Sequence, residues 1–239
     1  YAESLCLRLP EFAPLQNELE KPLSLIDQLL IDILEKKMHD NKPRMVGFTV
    51  PFPGNLYSAL RCAQWIKQNY PDVTIVMGGG YVNTELRQIT DSKIFDYIDY
   101  LTFDDGELPL LRLITQGELV RTIYRNEKEE LIRVQFDSKE NFKFSETGTA
   151  DYDGLTQNNY MNLIELTNPM HALWSNGKWN KMTLAHGCYW GKCAFCDGTL
   201  DYINRFEKAP VEMLVDRMEK IMEQTGQSGF HFVDEAAPP

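Results

Sequence analysis

Between residues 42 and 117, short apolar runs alternate with longer stretches of helical period, and that alternation leaves few folds open. Residues 44–50, Arg-Met-Val-Gly-Phe-Thr-Val, read as a short strand. Residues 55–69 read as a helix that buries Leu56, Leu60, Ala63, Trp65 and Ile66. Residues 73–77, Val-Thr-Ile-Val-Met, are β-branched and apolar, as in a strand buried on both faces of a parallel sheet. Residues 82–89 predict a short helix, 97–102 a third strand, and 107–115 a helix closed by Gly117. Strands joined by helical crossovers predict an α/β fold with a partial doubly wound parallel sheet, in which ligands bind at the carboxyl ends of the strands. Upstream, residues 25–38 form the clearest helix, with Ser24 placed to cap it.

The strand ends carry the first candidate residues. Gly78-Gly79-Gly80 follows the second strand and admits either a ligand close to the backbone or a tight turn. It is not a G-x-G-x-x-G run, and no P-loop is present, so neither a dinucleotide nor a nucleoside triphosphate is indicated. Asp104-Asp105-Gly106-Glu107 leads into a helix, where acids complement the helix dipole. Residues 121–144 alternate apolar and charged side chains and predict β-hairpins, on a sheet edge or in a linker region. Asn176-Gly177 lies between Trp174 and Trp179 and signals a further hairpin. The two tryptophans suit cross-strand packing, with a cofactor wall as the other reading.

A second pattern begins near residue 180. Met182-Thr-Leu-Ala185 reads as a buried strand that runs into His186-Gly-Cys188-Tyr-Trp-Gly-Lys-Cys193-Ala-Phe195-Cys196. An amphipathic helix follows over 210–224, with Val211, Met213, Leu214, Met218, Ile221 and Met222 near helical spacing. Residues 229–235 then predict a strand ending in Asp234 and Glu235. Strand, cysteine loop, helix and strand predict the start of a (β/α) barrel, whose chemistry sits at the carboxyl ends of its strands. Three thiolates leave one iron of a [4Fe–4S] cluster without a protein ligand, open to another molecule. The alternative is a structural zinc site, Cys₃His with His186, in an α/β binding module without redox chemistry. A disulfide framework is disfavoured by the odd total of five cysteines and by the lack of a secretion signal. Cys6 and Cys62 stand alone and read as small buried hydrophobes or incidental thiols.

The cysteine loop, with Phe195 just before the third cysteine, resembles that of the radical S-adenosylmethionine superfamily. The family spacing is CxxxCxxC; here the first gap holds Tyr189, Trp190, Gly191 and Lys192, one residue more. The resemblance implies that Cys188, Cys193 and Cys196 ligate a [4Fe–4S] cluster, with S-adenosylmethionine on the open iron and Phe195 beside its adenine. Asp234 and Glu235 stand where the family has a Gly-Gly-Glu-like segment that meets the methionine amino group, here without the two glycines. Thr49-Val-Pro51, then Gly78–Gly80, then Gly106-Glu107, then a cysteine loop is an order similar to that of the cobalamin-binding class of these enzymes. That resemblance covers roughly residues 42–117 and 180–239 and implies cobalamin contacts at Thr49, Pro51, Asn55, Gly78, Gly79, Gly80, Gly106 and Glu107. The Asp-x-His-x-x-Gly motif of other cobalamin proteins is absent, so no histidine ligand to cobalt is expected.

What the class does follows as an expectation. Its members form a 5′-deoxyadenosyl radical at the cluster, and they include methyltransferases and the anaerobic oxidative cyclase of magnesium-protoporphyrin monomethyl ester. The implied partners are a small-molecule or tetrapyrrole substrate and an electron donor such as a flavodoxin or ferredoxin. No catalytic side chain is named, because no residue selects a substrate. A net charge of −11 argues against a general nucleic-acid-binding role, and no run reaches transmembrane length, so no membrane partner is expected. Free thiols and an oxygen-sensitive cluster suit a reduced, cytoplasmic setting. The expected division is a cobalamin-binding-like domain over 1–118, a β-hairpin linker region over 119–180, and the start of the barrel over 181–239. The family's first strand and helix are not recognisable at the N-terminus. A whole barrel needs about 200 residues or more, so the chain reads as a piece of a longer enzyme, cut at both ends and inactive alone.

Overall fold

The computed structural model describes residues 12–155, 159, 170, 179–234 and 236. Glu235, Cys6 and the hairpin around Asn176-Gly177 lie outside the described residues; of that hairpin only Trp179 is described. The chain divides into two compact units, 1–141 and 142–239.

In the first unit, helix α1 (Ala13–Leu19) precedes α2 (Leu25–Asn41). Ser24 caps α2 as expected: its hydroxyl accepts from the Asp27 amide at 3.1 Å, and its own amide donates to Asp27 Oδ2 at 3.0 Å. The helix runs past Met38 to Asn41 and stops at Lys42, whose left-handed backbone (φ 45°) closes it. Strand β1 (Met45–Thr49), helix α3 (Pro53–Asn69), strand β2 (Thr74–Gly78), the short helix α4 (Gly80–Thr84) and strand β3 (Tyr100–Thr102) follow. Pro53 starts α3 at the position where its missing N–H costs nothing. Leu56, Leu60, Ala63 and Ile66 are fully buried, while Trp65 is half-buried against the same core. Ile75, Val76 and Met77 of β2 are buried on both faces, as their β-branched run predicts.

β1, β2 and β3 pair in parallel, with Thr49 opposite Gly78 and Met77 opposite Leu101. After helix α5 (Glu107–Ile114), strands β4 (Thr122–Arg125) and β5 (Leu131–Val134) form an antiparallel hairpin. β4 pairs with β3, so the hairpin lies at the edge of one five-stranded mixed sheet, in the order β1-β2-β3-β4-β5. The sheet is therefore α/β but not purely parallel, and its strand order shows no reversal of the doubly wound kind. β3 is also shorter than the run 97–102. Tyr97 closes a 3₁₀ turn over Ser92–Asp96. Asp99 spends its carboxylate on the Ile75 amide at 2.7 Å and Lys67 Nζ at 2.6 Å, so the ladder starts only at Tyr100.

In the second unit, strand β6 (Asn180–Met182) leads through strand β7 (Ala185–His186), helix α6 (Asp201–Asn204) and strand β8 (Glu207–Lys208) to helix α7 (Val211–Thr225) and strand β9 (Phe230–Phe232). β6 and β9 pair in parallel with α7 between them in sequence, a βαβ unit. β7 and β8 pair antiparallel. The described strands form open sheets and no closed barrel. Of the apolar face expected on α7, only Ile221 is buried; Met213, Leu214 and Met218 are half-buried, and Val211 and Met222 are exposed. Two strands are too narrow to cover such a face. Arg217, on α7, is buried instead, with its guanidinium donating to the carbonyls of Phe144 and Thr147 and stacked 5.1 Å over the Phe144 ring. No described helix is long and apolar enough to cross a membrane.

Candidate metal centre

The cysteine loop is an excursion with a closed base. The β7–β8 ladder pairs Ala185 with Lys208 and His186 with Glu207, and residues 187–206 lie between. Gly187 makes the exit turn at φ +69°, and a Cβ there would stand 1.9 Å from the Arg205 carbonyl oxygen. Gly191 bends the loop again at φ +56°. Cys193 and Cys196 share one turn, in which the Cys196 amide donates to the Cys193 carbonyl at 3.2 Å. Cys188, Cys193 and Cys196 all carry free thiols; Cys193 is exposed and the other two half-buried. Around them Tyr189, Trp190 and Phe195 are exposed, Phe195 at 93%. Lys192 Nζ stands 5.3 Å over the Trp190 ring.

The structure brings the three cysteines onto one loop but does not gather them: no described group of three or more metal-ligating side chains is placed to hold an ion. His186, the fourth ligand of the zinc reading, has Nε2 3.1 Å from the Tyr202 carbonyl oxygen and 3.4 Å from Arg205.

Asp234 sits where β9 ends, and its place is set by the backbone. Its Oδ1 accepts from the amides of Leu184 at 2.8 Å and Ala185 at 2.9 Å, and its Oδ2 from Leu184 at 3.0 Å. The carboxylate thereby ties the end of β9 to the stretch that enters the cysteine loop. Arg205 and Glu207 form the other side of the base. Arg205 Nε lies 3.1 Å from Glu207 Oε1, and Glu207 Oε2 accepts from the Phe144 amide at 2.7 Å. The sequence offered no local signal for this pair; Gly187, directly before Cys188, was the visible hint of a forced turn.

The candidate residues of the first unit share one sheet edge. Parallel pairing places the carboxyl ends of β1, β2 and β3 side by side, and the Val50 amide donates to the Gly78 carbonyl at 2.7 Å. Thr49, Pro51, Asn55, Gly80, Gly106 and Glu107 are exposed there, while Gly78 and Gly79 are half-buried. The glycines answer to close packing. A Cβ on Gly79 (φ +108°) would meet Val50 N and O at 2.8 Å, and one on Gly78 would meet Thr102 Oγ1 at 2.9 Å. Two of the acids before α5 do not serve its dipole. Asp104 pairs with Arg87 and lies 3.7 Å from Arg121 Nε, and Asp105 accepts from Asn141 at 2.5 Å. Asp104 takes a left-handed backbone (φ 63°), and Asn83 Oδ1 accepts its amide at 2.6 Å. A cleft of about 280 Å³ lined by Leu19, Pro22, Leu23, Ile31, Gln64 and Trp65 belongs to the helices, and no candidate residue lines it.

No family model matches the chain, and no curated protein matches it either.

Proposed function

We propose that Cys188, Cys193 and Cys196 ligate a [4Fe–4S] cluster and that the chain supports radical chemistry on S-adenosylmethionine. One observation carries this reading: three free thiols lie on a single loop between β7 and β8, within the connection that joins the two strands of a parallel βαβ unit. Soft thiolates select iron–sulfur or zinc centres, and three of them leave one cluster corner to a non-protein ligand. The chemistry such a cluster supplies when bound is one-electron reduction of a sulfonium, and hence radical initiation.

The chain's own residues position and shield. Gly187 turns the backbone so that the loop folds back over its base, and the β7–β8 ladder holds that base shut. Asp234 fixes the end of β9 against the loop entrance, and Phe195 offers an exposed ring for an adenine. On the first unit we assign cobalamin to the exposed strand ends around Thr49, Pro51, Asn55, Gly80, Gly106 and Glu107, with a tetrapyrrole or a methyl acceptor as the class of substrate.

The test is iron and sulfide content after anaerobic reconstitution. The reading predicts about four irons per chain in the wild type and loss of the intact cluster in Cys193→Ala. Zinc in place of iron, or a full cluster in Cys193→Ala, would overturn the ligand assignment.

A further inference from the structure

Helix α2 is apolar on two faces. Its inner side, Asp27, Ile31, Leu34 and Met38, is buried or half-buried. Its outer side carries Leu25, Ile26, Leu29 and Ile33, which are 76%, 77%, 56% and 63% exposed. Four large apolar side chains exposed side by side on one helix form a contiguous patch of the kind that marks an interaction surface.

The spacing of the stripe says what kind. Ile26, Leu29 and Ile33 fall at the a, d and a positions of a heptad, and in a parallel coiled coil Ile at a with Leu at d favours two strands. The flanks agree. Asp32 then occupies a g position and Lys37 the following e position. In a parallel pair of identical helices, g of one faces e of the other, so Asp32 meets Lys37 of a second copy and Leu25 meets Leu30 of that copy. An antiparallel pair would set g against g and e against e, so neither Asp32 nor Lys37 would meet the opposite charge. Neither Asp32 nor Lys37 has an ion-pair partner among the described residues; Asp32 accepts a hydrogen bond from Gln28 at 2.8 Å.

We propose that the outer face of α2 is a homodimerisation seam, on which a second copy of this chain packs its own α2 in parallel. The seam ends at Ile33, because the next a and d positions are Lys36 and Asp40. The dimer is therefore reversible and depends on concentration.

Sedimentation equilibrium of the full chain over a range of concentrations tests it. The expected result is an average mass that rises from that of one chain towards that of two. Ile33→Glu, on the exposed face, stays monomeric with an unchanged circular dichroism spectrum. Asp32→Lys raises the dimer dissociation constant about tenfold, and adding Lys37→Asp restores it. A single-chain mass at every concentration would overturn the proposal and give the stripe to a different partner. A dimer that survives Ile33→Glu, or a double variant no tighter than Asp32→Lys alone, would overturn it as well.

Discussion

Arg61, 3% exposed, joins three helices through one guanidinium. It donates to the carbonyls of Leu19 at 2.6 Å and Glu18 at 3.1 Å, which close α1, and to Tyr57 Oη at 2.8 Å on its own helix α3. Its Nε lies 3.8 Å from Asp27 of α2. Arg61→Ala leaves the two carbonyls unpaired and takes the nearby cation from the buried Asp27 carboxylate, and should cost about 3–5 kcal/mol in denaturant unfolding. Arg61→Lys should recover little of it, since one ammonium cannot reproduce the fork. Burial pushes the Asp27 carboxyl up, but hydrogen bonds from Ser24, the charge of Arg61 and the Tyr57 hydroxyl together hold it below its ordinary value. A depressed carboxylate stabilises the fold above its unfolded pKa, and that share is lost as pH falls through the native value. Acid unfolding of the wild type should therefore be steeper below about pH 4 than that of Asp27→Asn. The sequence showed Ser24 and the helix it caps, because a cap is a local pattern. Arg61 was invisible, because the carbonyls it closes lie some forty residues away in the chain. The Cys62 thiol is pushed up to about 11 by burial and by Asp27, which fits the reading of that cysteine as a small hydrophobe.

At the scale of elements, periodicity gave the alternation of strand and helix in the first unit, where β1 and β2 lie in the apolar runs; in the second, the run 182–185 is split between β6 (Asn180–Met182) and β7 (Ala185–His186), which belong to different sheets. Their edges and partners depended on side chains elsewhere. Asp99 trimmed β3 by bonding the Ile75 amide, and the antiparallel hairpin attached itself to β3 although nothing in residues 121–144 named the strand it would join. The triple glycine shows how one residue type serves an element. At Gly79 a side chain would collide with the backbone of Val50 and with its own positive φ. Gly79→Ala should therefore lower stability by about 3 kcal/mol, measured by chemical denaturation. Gly106→Ala, with φ −71° and nothing within 4 Å of the new Cβ, should leave stability nearly unchanged. An equal loss in both variants would contradict the packing account.

At the scale of the whole molecule, the chain reads as two units with different problems. The first builds a core around a five-stranded sheet and leaves three parallel strand ends and one helix face exposed. The second is a small βαβ unit whose long cysteine loop is anchored by Asp234 and a two-residue ladder. The three cysteines on one loop were legible because their spacing is a local pattern. The placement of the thiols was not: the loop carries all three without gathering them. The central claim is that this loop holds a cluster with an open iron. The most direct measurement is the electron paramagnetic resonance spectrum of the anaerobically reconstituted, dithionite-reduced protein, before and after S-adenosylmethionine is added. The account predicts a [4Fe–4S]⁺ signal whose shape shifts on addition. A protein that takes up no iron, or a cluster signal indifferent to S-adenosylmethionine, would contradict it.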